Sequence, residues 1–225
     1  MPGVRIAVID SGVHAPHPHI QGVAGGVSIT EDGREEADYT DRIGHGTAVA
    51  AVIREKAPGA EIFAVKIFHA RLAARIGTLV RAIEWSVENG MHLINLSLGT
   101  SNPAHEAVLL RAVVHVVGNG ITLVAAYEDG GTRWLPGCLP TFSPVGQAVS
   151  PVSSPLPVGL VPVALDWDCP RDEYRTGKLL DGRTLFRASG YPRPIPGVPP
   201  GRNLKGISFA VANVTGLLAR TFTIL

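Results

Sequence analysis

The sequence predicts an α/β protein, a mostly parallel sheet with helices on both faces. Three observations predict it. Short β-branched apolar runs alternate with longer amphipathic stretches; the connections between them are brief; and polar residues suited to chemistry stand where those runs stop, as in IAVIDSG and INLSLGT. Such alternation implies right-handed crossovers and a sheet buried on both faces. Ligand chemistry in these sheets gathers outside the carboxyl ends of the strands, where Asp10, Gly99 and Glu128 are expected.

Residues 4–9 form the first strand, halted by the turn at Asp10-Ser11-Gly12. Residues 13–41 are rich in His, Gly, Asp and Glu without helical periodicity, and read as surface loop with room for one added strand. The small-residue run 47–53 predicts a helix whose amino end presents His45. Strand 61–68, helix 78–88 closed by Asn89-Gly90, and strand 92–98 follow. A helix over 104–117 ends at Gly118-Asn119-Gly120, and residues 121–126 make a fourth strand. From Gly130 to Gly206 the pattern loosens and prolines accumulate, with strands expected at 158–165 and 184–188. Residues 208–218 predict a final helix with Ser208 at its amino end, where free N–H groups and the dipole favour a developing negative charge.

At 225 residues the chain suits one domain spanning 1–225. Its 45% hydrophobic and 17% charged residues describe a globular protein with a large core. A net charge of +1 without a Lys/Arg run excludes an electrostatic case for nucleic acid, and no apolar run is long enough to span a membrane. The opening MPGVRIAVID has none of the parts of a secretion signal, so a cytoplasmic location is expected, with Cys138 and Cys169 as reduced thiols. No cofactor is called for. His14, His17 and His19 lack a carboxylate or cysteine at metal-ligand spacing, so no metal site is assigned. The acidic residues 32–41 read as a solvated loop.

Asp10, His45 and Ser208 supply an acid, a base and a hydroxyl in an order known for acyl transfer: a carboxylate orients an imidazole, which takes the serine proton. The surrounding motifs VIDSGV, GHGTAVA, INLSLG and GISFAVANVTG resemble those of the subtilisin-like serine peptidases, the subtilases. The likeness covers most of 4–128 and resumes at about 184–219. It implies a subtilisin-like fold, with Ser208 as nucleophile, His45 as general base then acid, and Asp10 as its orienter. It also implies that Ser97, Leu98 and Gly99 line the pocket for the residue before the scissile bond, pairing with the peptide as an added strand, while residues 71–77 flank its other side.

Departures from the family pattern are as informative. Where the family places an oxyanion-binding Asn this chain has Glu128, and Ile207 stands where a Thr precedes the serine. Two side-chain donors are thereby lost, and removing even one typically costs about a hundred- to a thousand-fold in rate. If apolar neighbours such as Ile207 bury Glu128, its neutral carboxyl becomes a donor in place of the Asn. The family's calcium loop is replaced by the direct connection 53–59, and the chain stops at Leu225, short of the usual last helix, so a compact version without that calcium site and without a pro-segment is expected. These features point to a serine endopeptidase for specialised processing of a peptide or precursor protein, leaving room for an activating partner. The alternative is a catalytically impaired module for peptide binding or assembly.

Overall fold

A computed structural model describes residues 3–140, 159–199 and 202–222. Val158, where the predicted strand 158–165 begins, and the end of the proline-rich stretch 191–201 lie outside the described residues. β1 (Arg5–Asp10) shows why the sheet has two covered faces: Ile6 and Val8 enter one apolar cluster, Ala7 and Ile9 the other. β2 (Gly25–Ile29) and the short β3 (Glu35–Glu36) follow, then α1 (His45–Lys56), β4 (Glu61–Lys66), α2 (Ile76–Glu88) and β5 (Leu93–Leu96). A short 3-10 turn leads into α3 (Glu106–Gly118), then β6 (Thr122–Asp129), β7 (Thr132–Arg133), β8 (Gly159–Leu165), β9 (Tyr174–Lys178), β10 (Thr184–Ala188) and α4 (Ile207–Phe222).

Among the described residues the strands join in the order β3-β2-β4-β1-β5-β6-β8-β10-β9, with β7 paired to β6. Every neighbouring pair from β2 to β10 is parallel, and β3, β9 and β7 are antiparallel additions. The α/β class is as the sequence predicts. Its edges are not: residues 13–41 hold two strands, because Val27 and Ile29 have a buried place beside β4 once Gly26 lets the chains approach. β9 is exposed along its length and carries no apolar alternation for a sequence reading to find.

α1 and α4 cover the face of the sheet that carries the chemistry, and they pack closely. A Cβ at Gly216 of α4 would lie 2.7 Å from Cβ of Lys56 on α1, so glycine sets that approach. The turn after α1 is held by Arg54, whose guanidinium donates to the carbonyls of Ile20, Gly22, Pro58 and Ala60 at 2.7 to 3.1 Å. One fixed fork thereby ties the histidine helix to the 20–22 loop and to the entry of β4. No helix among the described residues is long and apolar enough to cross a membrane.

Candidate active site

Asp10 is the last residue of β1 and His45 the first of α1. The two meet because Gly46 brings the helix start onto the turn after β1: a Cβ there would lie 2.2 Å from the Gly12 carbonyl oxygen and 3.1 Å from Asp10 Cβ. Asp10 Oδ1 stands 2.7 Å from His45 Nδ1 and also accepts the Ser11 amide at 2.8 Å. Asp10 is fully buried, while the His45 side chain keeps 15% of its exposure, so the imidazole reaches the surface from a fixed carboxylate. That bond places the Nδ1 proton toward Asp10 and leaves Nε2 as the basic atom.

Ser208 is the second residue of α4, where N–H groups have no helical acceptor. Its hydroxyl donates to the Ser97 carbonyl at 2.9 Å, and Ser97 Oγ returns a bond to the Ser208 carbonyl at 3.1 Å. Asn95 Nδ2 donates to Ser97 Oγ at 2.8 Å and Thr215 Oγ1 to Asn95 Oδ1 at 2.9 Å, closing a buried ring between β5 and α4. The Ser208 hydroxyl is thus held on the Ser97 carbonyl and not on His45. Among the described residues no hydrogen bond joins the two side chains in this state.

A second carboxylate, Asp41, read from the sequence as part of a solvated loop, fixes the start of the His45 helix. Asp41 Oδ1 accepts from Ser11 Oγ and the amides of Ile43 and Gly44 at 2.8 to 2.9 Å; Oδ2 accepts from the Thr47 amide and hydroxyl at 2.9 and 2.6 Å. Ser11 Oγ in turn accepts the Gly46 amide at 2.9 Å. Asp41 therefore caps α1 and locks His45 to the end of β1, so it is no solvated loop residue. Burial works against its charge, but the Thr47 hydroxyl and the amides outweigh it and hold the Asp41 pKa below the usual carboxylate range. The signal that could have revealed it was an acid shortly before a helix start.

Burial also disfavours the charged form of His45, yet the bond to Asp10 and the charges of Asp10 and Asp41 prevail, and its pKa lies above the ordinary imidazole value. The base form is reached only as pH rises through that raised value. The acid limb of kcat/KM is therefore expected above about pH 6.5, the free imidazole value, and a pH–rate profile with an NMR titration of His45 checks it. Linkage runs the same way: the paired imidazolium adds stability that is full below the unfolded pKa and disappears as pH rises through the folded one.

The substrate-side residues are partly assembled. Leu98 and Gly99 share a cleft of about 270 Å³ with Leu72, Ala73, Ala74 and Arg75, so the two segments expected beside a peptide do face one another. Ser97 lies against the nucleophile. Glu128 differs from expectation: it is exposed on the β6–β7 hairpin, opposite Arg133, and Ile207 is itself only half-buried. The burial on which a neutral Glu128 donor depended is not there: beyond a register shift after Ala126, Glu128 pairs with Ala164 of β8 and Arg133 of β7 and stays exposed. No group of three or more metal-ligating side chains occurs among the described residues.

The chain is an α/β protein whose mostly parallel sheet carries Asp10 at the carboxyl end of β1, with His45 and Ser208 at the amino ends of α1 and α4. The family model described as the Subtilase family matches residues 2–156, and the chain belongs to that family. It is 36% identical over 138 residues to Subtilisin Savinase of Lederbergia lenta, an alignment covering 57% of this chain and 49% of that protein. The chain spans half or less of the relatives' length. Among solved structures it is similar to a cold-adapted subtilisin-like serine proteinase, with TM-score 0.66, 22% identity, and coverage of 96% and 74% of the two chains. A lanthipeptide protease superposes with TM-score 0.64 at 17% identity, covering 95% and 71%. These likenesses establish the fold as subtilisin-like.

Proposed function

We propose that the protein is a serine endopeptidase that hydrolyses peptide bonds through Asp10, His45 and Ser208 in the processing of a peptide or precursor protein. The observation that carries this is the buried Asp10 bonded at 2.7 Å to a largely buried His45, with Ser208 at the amino end of α4, where the next residue, Phe209, meets the His45 ring. Ser208 Oγ bonds to the acyl carbon as its proton passes to His45 Nε2. Collapse then breaks the C–N bond as His45 returns the proton to the leaving amine, and water repeats the sequence to free the acid. The amino end of α4 supplies a main-chain donor for the oxyanion.

The lanthipeptide protease among the similar structures supports a processing role, and the free thiols Cys138 and Cys169 suit action in the cytoplasm. A partner that completes the site belongs to the same reading, because Glu128 offers no buried donor. An ionised carboxylate only accepts hydrogen bonds, whereas an amide donates. Because Glu128 is exposed on its hairpin, Glu128→Asn is expected to leave kcat at neutral pH within about ten-fold of the parent, below the worth of one oxyanion donor; a rise of about a hundred-fold would instead put that side chain at the oxyanion. The decisive experiment is labelling with a serine-directed fluorophosphonate across a range of pH, with Ser208→Ala as control. Ser208-dependent label is expected, and its absence at every pH would favour a binding or assembly module that keeps the cleft without the chemistry.

A further inference from the structure

The last paired residues of β5 and β6 are Leu96 and Ala125, and the segment Trp134–Leu135 bridges the two chains just beyond them. The Trp134 amide donates to the Tyr127 carbonyl at 2.9 Å, and Leu135 and Thr100 exchange main-chain bonds at 2.9 and 3.1 Å, so the segment is tied to both strand ends. Its contact with Gly99 is close: a Cβ on Gly99 would lie 2.8 Å from the Leu135 carbonyl oxygen, 3.1 Å from Trp134 Cβ and 3.6 Å from its Cε3. The half-buried indole packs against the same apolar cluster as the half-buried Ile207, the residue just before Ser208.

These positions bear on substrate size, given the reading of Ser208 as nucleophile. The residue preceding the scissile bond hangs from the carbon that Ser208 attacks, and Ser208 Oγ touches the Ser97 carbonyl. Its side chain therefore enters between residues 97–99 and the end of β6, ground that Trp134 already holds. We infer that Trp134 closes this pocket, so that the protein accepts only glycine, alanine or serine immediately before the bond it cuts. A leucine or phenylalanine there needs the indole to leave packed surroundings, and overfilled sites resist this. The Trp134 N–H is buried without an acceptor among the described residues, a vacancy that packing alone does not explain and that an acceptor on the bound peptide fills.

A series of diphenyl phosphonates bearing the glycine, alanine, leucine or phenylalanine side chain next to phosphorus tests this on the unaltered chain, beside a fluorophosphonate that carries no such side chain. The glycine and alanine reagents are expected to inactivate about a hundred-fold faster than the other two, the scale on which a pocket separates apolar side chains. In Trp134→Gly the phenylalanine reagent should gain about a hundred-fold, with Trp134→Leu intermediate. Equal rates across the series in the unaltered chain would overturn the inference whether or not either variant folds. Failure of the fluorophosphonate to label Ser208 would instead remove the nucleophile reading, and the pocket inference with it.

Discussion

Ser208→Ala is expected to lower kcat on an internally quenched peptide by about a million-fold, the scale that loss of the serine has in subtilisin itself, from which the figure is taken. The effect is large because the neighbouring Ser97 and Ser11 hydroxyls are already committed elsewhere. Ser97 Oγ is committed to the Ser208 carbonyl and to Asn95, and Ser11 Oγ to Asp41 and Gly46. Alanine suits the first turn of α4, and the lost bond to Ser97 removes only about 1 kcal/mol of stability. Circular dichroism and the melting temperature should therefore stay close to those of the parent while turnover vanishes. Activity within a thousand-fold of the parent would show that another group attacks.

Asp10→Asn is expected to cost about ten thousand-fold in kcat, the size of the equivalent change in a chymotrypsin-like triad. Asp10 is fully buried and its Oδ1 takes both the Ser11 amide and His45 Nδ1, so an asparagine whose NH₂ group faces the imidazole loses the Ser11 bond as well. His45 would then accept at Nδ1 and carry its proton on Nε2, the atom that must receive the serine proton. The same change removes the bond and the charge that hold the His45 pKa up, so the acid limb of the remaining activity should move to lower pH. A pH–rate profile of the variant beside the parent reads both effects. A small loss with an unmoved limb would contradict the role assigned to Asp10.

Much of this was legible in the chain. β1, α1, β5 and α4 follow from continuous apolar or small-residue runs, and β1, α1 and α4 carry Asp10, His45 and Ser208. Elements without such patterning were missed. β2 begins with two glycines, and β9 is exposed throughout. The polar groups that fix the triad were missed for another reason: Thr215 bonds Asn95 across 120 positions, and Ser11 bonds Asp41 across 30. Isolated in sequence, each is an ordinary polar residue, and only packing reveals that it is buried and paired.

By itself, then, the sequence determined the fold class and the elements that present Asp10, His45 and Ser208, because apolar runs and turn chemistry are local properties. Only the tertiary structure decided the state of the site. It set the Ser208 hydroxyl on the Ser97 carbonyl, made Asp41 the clamp on the histidine helix, left Glu128 in solvent on its hairpin, and laid Trp134 against Gly99. Each outcome depends on which surfaces meet once α4 closes over the sheet, and no property of a residue taken alone specifies its burial or its distant partner.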